Sequence, residues 1–392
     1  MRAGIARIDL TPEPAVGVYM SGYTNSHDKP SEGAHDPLFA RVLLLDDGRR
    51  RIALVALDLI GLNPGRLPGM ARNLGVDGLL LAASHTHGGP MVIDLEVPYG
   101  EDRHWPEGTP YLSWVEERIA EGIAQAKAAL QPVRLSVGRG AVDLSFNRRL
   151  LKPDGSVEMI WGQNRERRRP FGPADPEVGV VRVDGLEGQP VALFCHYACH
   201  PVVLGPENRW LTADFPGYAC AYLERQFPGA LALFLQGGCG DLDPYVDVQN
   251  DFDPAREQGE VLGREVARVA RERGVALEEE PWLELIRLSR ECRRYYKPEE
   301  RCRIEYSVLR VGRDLAFLNL PGEPFVELQL ELKRRSTLPH TFLLGYVNGY
   351  AGYFPTLQAN REGGYGASSG GTMHVEAAAG EAMVAEALAA LR

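Results

Sequence analysis

The chain has 392 residues, 44% of them hydrophobic and 24% charged, which is enough apolar side chain for a large core and excludes a disordered chain, a collagen and a coiled coil. The net charge of −10 gives a surface that repels phosphate backbones, so no nucleic-acid partner is expected. No apolar run approaches the ~20 residues that cross a bilayer. The opening MRAGIARIDLTPEP has no basic and then apolar leader, and six cysteines without a Cys-x-x-Cys are too sparse for a disulfide framework; a cytoplasmic protein with no transmembrane segment is expected.

Apolar and β-branched runs predict strands over 41–46, 51–60 and 78–83. Residues 111–130 place Leu112, Val115, Ile119, Ile123, Ala126 and Leu130 at helical spacing, and Gln131-Pro132 closes that helix. Strands follow over 133–139, 178–183 and 190–197, then a helix over 216–226, a strand over 230–236 and an Arg- and Glu-rich helix over 254–273. Strands over 283–289, 304–311 and 314–320 precede a helix over 323–335, a strand over 341–347 and an Ala-rich helix over 375–391. This irregular alternation predicts an α/β fold of mixed β-sheets flanked by helices, a single large domain over 1–392, without the strict βα repeat of a TIM barrel. The Gly/Pro-rich, charged stretches 88–110 and 140–177 read as surface loops over the site, and the run 165–169 (RERRR) as a solvated loop face.

Five segments carry chemistry. Ser84-His85-Thr86-His87-Gly88-Gly89-Pro90 follows an apolar strand directly, at the sheet rim where α/β active sites lie. His85 and His87, two apart in extended chain, face one way and suit a metal, or one metal and one substrate. In Cys195-His196-Tyr197-Ala198-Cys199-His200-Pro201 the ligand candidate is His200, at the turn. His196 reads as a core or supporting histidine, and Cys195 and Cys199 as small core residues. Gln236-Gly237-Gly238-Cys239-Gly240-Asp241-Leu242-Asp243-Pro244 runs a strand into glycines that let backbone approach a ligand. Its Asp241 is suited to orienting a histidine, against the plainer reading of a tight turn with a capping aspartate. In Leu320-Pro321-Gly322-Glu323-Pro324, Glu323 begins a helix, where the dipole also favours an acid. Asn348-Gly349-Tyr350-Ala351-Gly352-Tyr353 sets phenols among glycines, suited to polarising a carbonyl or ligating a metal. Gly366-Ala367-Ser368-Ser369-Gly370 matches G-x-S-x-G, but polar residues and no strand precede it, so Ser368 is not expected to be a nucleophile.

Taken in order, these segments resemble the neutral/alkaline (non-lysosomal) ceramidase family in its N-terminal catalytic domain. The family's T-H-T-H-S-G-P looks like the run from Ser84 to Pro90. Its His-Pro, followed by an Asp and G-Y-A, looks like His200-Pro201 with Asp214 and Gly217-Tyr218-Ala219. Its G-D-V-S-P, P-G-E and N-x-Y-x-x-Y look like the runs beginning at Gly240, Pro321 and Asn348, and the opening AGIARIDLTP and the run Asp36-Pro37-Leu38-Phe39-Ala40-Arg41 also look like the family.

That resemblance implies a zinc-dependent amidohydrolase cleaving an N-acyl amide, with zinc held by His85, His200, Glu323 and Tyr353 and zinc-bound water as nucleophile. His87, Arg148, Tyr350 and Tyr353 would be catalytic, with His87, Arg148 and Tyr350 stabilising the oxyanion; Asp241 and Asp243 would bind substrate. The family's serine in G-D-V-S-P is Asp243 here, which implies a different head group, amino or polyol. The chain ends at Arg392, so a short, bacterial-type member without the family's C-terminal domain is expected. The implied partner is a small-molecule amide, lipid-like or otherwise. Against it stand a non-catalytic relative that binds a small polar ligand, and an esterase.

Overall fold

The computed structural model describes residues 1–23, 30–93, 109–162, 168–278, 280–368 and 372–392. Strands β1 (Arg2–Asp9), β2 (Phe39–Asp46), β3 (Arg51–Leu57), β4 (Gly78–Ala83), β5 (Gln131–Ala141), β6 (Glu177–Gly185), β7 (Pro190–Tyr197) and β8 (Leu231–Gln236) lie in the order β8-β7-β6-β5-β1-β2-β3-β4, and Val275–Ala276 adds a ninth strand on β5. A second sheet follows the order of the chain, β9 (Leu283–Arg293), β10 (Arg301–Val311), β11 (Leu315–Asn319) and β12 (His340–Leu344).

Side chains alternate along these strands, so each sheet has two apolar faces. In β2, Val42 and Leu44 face one core while Leu43 and Leu45 face another. Helices α1 (Leu67–Asn73) and α2 (Thr109–Ala128) cover the first of these, with Val115, Ile119 and Ile123 against Ile8, Val42 and Val55. Helices α3 (Asp214–Gln226) and α4 (Asp253–Glu272) cover the same side of β6 to β8, with Phe215, Leu262 and Val266 against Val180, Leu193 and Phe234. The opposite face, including Leu54, Leu80, Phe194 and Leu233, shares one core with Leu309, Phe317 and Phe342 of the second sheet. Fully burying each such side chain contributes about 1.5–3 kcal/mol, and this shared core is what joins the two sheets. The far side of the second sheet is closed by α5 (Val326–Arg335) and α7 (Ala379–Ala390); a short α6 (Leu357–Glu362) lies between them in the chain. The α/β class of mixed sheets flanked by helices is therefore the observed one.

Within the two large sheets three strand pairs are parallel: β3–β4, β7–β8 and β11–β12. Their carboxyl ends are tied together. Gln236, at the end of β8, accepts from the Cys199 N–H (3.2 Å) and donates to the carbonyls of Ser84 (3.0 Å) and Cys199 (2.8 Å). Its own carbonyl accepts from Gly345, just after β12, at 3.0 Å. Asn348, at φ 58°, completes the join: its side chain accepts from Leu81 N–H (2.8 Å) and donates to Leu79 O (2.9 Å) on β4.

Several boundaries differ from expectation. The strand expected over 51–60 ends at Leu57, because Asp58 turns its carboxylate onto Phe39 N–H (2.9 Å) and the buried Arg41 (2.6 Å). Helix α5 begins at Val326, not at Glu323, which instead forms a two-residue parallel pair with Tyr353. The first α5 amide, Val326 N–H, is capped by the Asp241 side chain at 2.8 Å, so the acid at that helix end is Asp241. The stretch 140–177 is not a surface loop throughout: Ser145–Asn147 is buried and pairs with Leu242–Pro244. Within 88–110, Gly88 to Met91 are buried and α2 begins at Thr109, while 94–108 lie outside the described residues, as do 165–167 of the RERRR run. Strand β1 is not among the expected strands, because Arg2, Arg7, Asp9 and the small Ala3, Gly4 and Ala6 leave only Ile5 and Ile8 as large apolar residues; it nevertheless lies inside the large sheet, paired with β2 along its length.

Gly4 shows how closely β1 meets α2: a Cβ there would sit 1.9 Å from the Ala126 carbonyl oxygen. Gly4→Ala should therefore destabilise the protein by about 1–3 kcal/mol, seen as a lower urea midpoint with an unchanged slope.

Candidate metal centre

The ends of the three parallel pairs deliver the predicted side chains to one buried place. His85 follows β4 at φ 69°, its N–H donating to Leu59 O (3.0 Å). Its Nδ1 meets Ile60 O at 2.7 Å and its Nε2 faces Glu323 Oε1 at 3.5 Å. His200 follows β7; its Nδ1 meets Cys239 O at 2.6 Å and its Nε2 faces Glu323 Oε2 at 3.0 Å. Glu323 itself is placed by its N–H, which donates to Gly352 O at 3.0 Å. Tyr350 donates to Glu323 Oε1 (2.6 Å) and Tyr346 to Oε2 (3.2 Å). The ligand nitrogens of His85, His87 and His200 lie within 4.8 Å of one another.

The proton inventory of this cluster is constrained. A carbonyl oxygen only accepts, so Nδ1 of His85 and of His200 must carry a hydrogen. In a neutral ring Nε2 is then a bare lone pair, and here it points at a carboxylate. Two acceptors facing at 3.0 Å require a positive species between them, a proton or a metal ion. Burial works against Glu323's charge, yet His85, His200 and Tyr350 hold its carboxyl far below the ordinary range. Burial pushes His85 down to about 4. At His200 burial also opposes the charge, but Cys239 and Glu323 prevail and hold it up at about 10. Burial and the two neighbouring imidazoles push His87 down, and neither of its buried ring nitrogens has a partner among the described residues. These donors fit a divalent cation: imidazole nitrogens oriented by carbonyls behind them, a carboxylate, and phenols alongside.

The remaining predicted residues surround this cluster. Arg148 donates to Asp243 Oδ1 (3.0 Å), Gly240 O (2.7 Å) and the Tyr353 hydroxyl (3.1 Å), and lies over the Trp161 ring at 4.7 Å. Tyr353 is the register partner of Glu323, but its hydroxyl meets Arg148, whereas that of Tyr350 meets the carboxylate. Asp241 accepts from Val326 N–H and from Asn147 (2.5 Å), so both of its oxygens are engaged within the protein. It orients no histidine; the backbone carbonyls of Cys239 and Leu242 do that for His200. Gly240 is required by close approach, since a Cβ would lie 2.6 Å from Glu323 O. His196 is a core residue bonded to Leu343 O (2.8 Å), and Cys195 and Cys199 are buried free thiols. Tyr346, Tyr23, Trp161 and Asp247 also reach the site. Tyr346 stands just before the Asn348 motif, where a glycine-bounded phenol was a usable signal; the other three carried none.

A family model for neutral/alkaline non-lysosomal ceramidases, N-terminal part, matches residues 1–253. The chain belongs to this ceramidase family. The neutral ceramidase of Pseudomonas aeruginosa is 26% identical over 283 residues, 66% of this chain and 40% of that protein. That of Drosophila melanogaster is 24% identical over 267 residues, 62% of this chain and 36% of the relative. The chain thus aligns with less than half the length of these curated relatives. The crystal structure of the Pseudomonas aeruginosa neutral ceramidase superposes with a TM-score of 0.79 at 20% identity, covering all of this chain and 74% of that one. A structure described as ceramidase complexed with C2 gives a TM-score of 0.80 at 20% identity, covering all of this chain and 75% of that one. The ceramidase fold is therefore shared along the whole chain.

The buried acids of this ceramidase-family member set a pH dependence. Burial raises Asp214 and Asp247 to about 7, and burial with the Asp241 charge raises Glu327 to about 8. A raised folded pKa contributes stability below the unfolded value that is lost as pH rises through the folded one. His85 and His196, lowered to about 4, act the other way and only below their unfolded value near 6.5. Above that pH nothing opposes the acids, and His200, held up at about 10, loses its own contribution over the same range. The urea midpoint of chelated protein should therefore fall between pH 6.5 and 8.5, and fall less in Glu327→Gln; a flat profile in the parent protein would contradict this assignment.

Proposed function

We propose that the chain is a zinc-dependent hydrolase of an amide bond in an N-acylated amine, with zinc held by His85, His200 and Glu323 and flanked by the phenols of Tyr350 and Tyr353. The observation that carries the reading is the buried carboxylate of Glu323 facing two imidazole Nε2 atoms at 3.0 and 3.5 Å, with unpartnered His87 nitrogens beside them. Zinc bound there would supply Lewis acidity to a carbonyl and activate water at neutral pH. Family membership and the names of the relatives favour a ceramide-like substrate class.

The chain's own residues supply the rest. Ile60 O and Cys239 O hold the imidazoles in one tautomer, and Tyr350 and Tyr346 fix the Glu323 carboxylate. Arg148 is held by Asp243 and Gly240 O, so its charge needs no rearrangement to meet a developing oxyanion. His87, kept neutral by burial, has a ring nitrogen free to hydrogen-bond the substrate carbonyl.

Purified protein should carry about one zinc per chain, lost in His85→Ala and His200→Ala; full metal in both variants would end this assignment. Because His200 must release its proton to bind a metal, apparent zinc affinity should rise with pH between 6 and 9, by up to about tenfold per unit, in competition with a chromophoric chelator. A screen of N-acyl substrates with and without chelator tests the activity. On the best amide, Tyr350→Phe and Tyr353→Phe assayed side by side for zinc content and rate separate the two phenols. The one that acts on substrate should lose about 10²–10³ in kcat while keeping more zinc than His85→Ala.

A further inference from the structure

The Leu242–Pro244 strand ends against Ser145–Asn147, and this pairing fixes Asp243 beside Arg148. Only Asp243 Oδ1 is used there. Its Oδ2 is buried with no donor among the described residues. Four residues on, Asp247 repeats the pattern. Its Oδ2 accepts from Gly162 N–H (2.9 Å), and its Oδ1 is buried with no donor. Both residues are only 1% exposed. Arg148, which holds Asp243, lies over the Trp161 ring at 4.7 Å, and the next residue, Gly162, holds Asp247, so the two acids flank one turn of chain; burial and the Asp243 charge push Asp247 up to about 7.

Tyr23 links this pair to the metal centre. Its ring stands edge-on to His87 at 4.8 Å and its hydroxyl donates to Leu204 O at 2.9 Å. Burial and the charges of Asp214, Asp243 and Asp247 hold its phenol up, while Arg148 pulls it down. Tyr23 thus touches His87 and lies in the field of both acids.

Buried acceptors without donors are costly, and each is a place where a ligand gains by supplying a hydrogen. Two carboxyls against one guanidinium leave an excess of acceptors and negative charge. A hydroxyl brings a single hydrogen and no charge. A primary ammonium brings three hydrogens and the missing positive charge. We infer that Asp243 and Asp247 form a subsite for a primary ammonium group on the amine side of the substrate, making the substrate class an N-monoacylated diamine. This rests on the hydrolase reading above and deepens it.

The test compares N-acyl ethylenediamine with the N-acyl ethanolamine of the same chain, which differ only in ammonium against hydroxyl. The corresponding sulfonamides, which resist cleavage, give the binding readout by calorimetric titration of the zinc-loaded protein. The ammonium compounds should show about tenfold or greater advantage in KM and in sulfonamide Kd, and Asp247→Asn, which keeps an oxygen for Gly162 N–H, should bring both ratios near one. Equal sulfonamide affinities in the parent protein, or an ammonium preference that survives in Asp247→Asn and Asp243→Asn alike, would overturn the subsite. Cleavage of both amides without preference would leave the hydrolase standing and remove the subsite; selective sulfonamide binding with no amide cleaved would keep the subsite and remove the hydrolase.

Discussion

A carboxylate buried against imidazole lone pairs is the constraint around which this molecule is arranged. Glu323 is 1% exposed, with His85 and His200 equally buried. Such a charge is tolerated in a protein interior only when its oxygens are satisfied and a positive species is near. The surrounding architecture meets that demand. Carbonyls behind each histidine force Nε2 forward, and two tyrosines donate to the carboxylate. The same arrangement that would be unfavourable as a bare lone-pair contact is favourable around a cation.

The precision needed for this comes from the sheets. Three parallel strand pairs end at one level, and Gln236 and Asn348 tie those ends with side-chain bonds to backbone. A site assembled from strand ends is held by the core shared between the two sheets, not by loops alone. Backbone in the left-handed region at His85, Tyr346 and Asn348 is strain located where it aims functional groups, and the surrounding packing keeps it in place.

Arg148 divides the site into two electrostatic regions. On one side are the imidazoles and Glu323, and on the other Asp243 and Asp247. The guanidinium partners one oxygen of Asp243, and one oxygen of each acid has no donor among the described residues, which is the basis of the ammonium subsite proposed above. On the proposed reading, the aspartate that stands where the resembling family has serine would change what is asked of a substrate, while the metal-facing half would keep its form.

Much of this was legible in the residues themselves. Period-two and period-3.6 apolar patterns located most strands and helices, since burial of one face imposes those periods. The histidines after β4 and β7, Glu323 after Pro-Gly and the tyrosines among glycines were visible because polar groups directly after buried strands have few structural reasons to be there. Strand β1 was hidden because charged Arg2, Arg7 and Asp9 and small Ala3, Gly4 and Ala6 leave only Ile5 and Ile8 as large apolar residues; its pairing with β2 and its packing against α2 place it in the sheet. The start of α5 was misplaced because its capping group, Asp241, is 85 residues away in the chain. Which phenol meets Glu323, that Asp241 is engaged while Asp243 and Asp247 each keep an oxygen without a donor among the described residues, and that Tyr23 joins the site are facts of three-dimensional pairing. Sequence determines which chemical groups exist and which strands deliver them; the partner each group finds is decided by contacts between distant segments, and those contacts set protonation, tautomer and ligand demand.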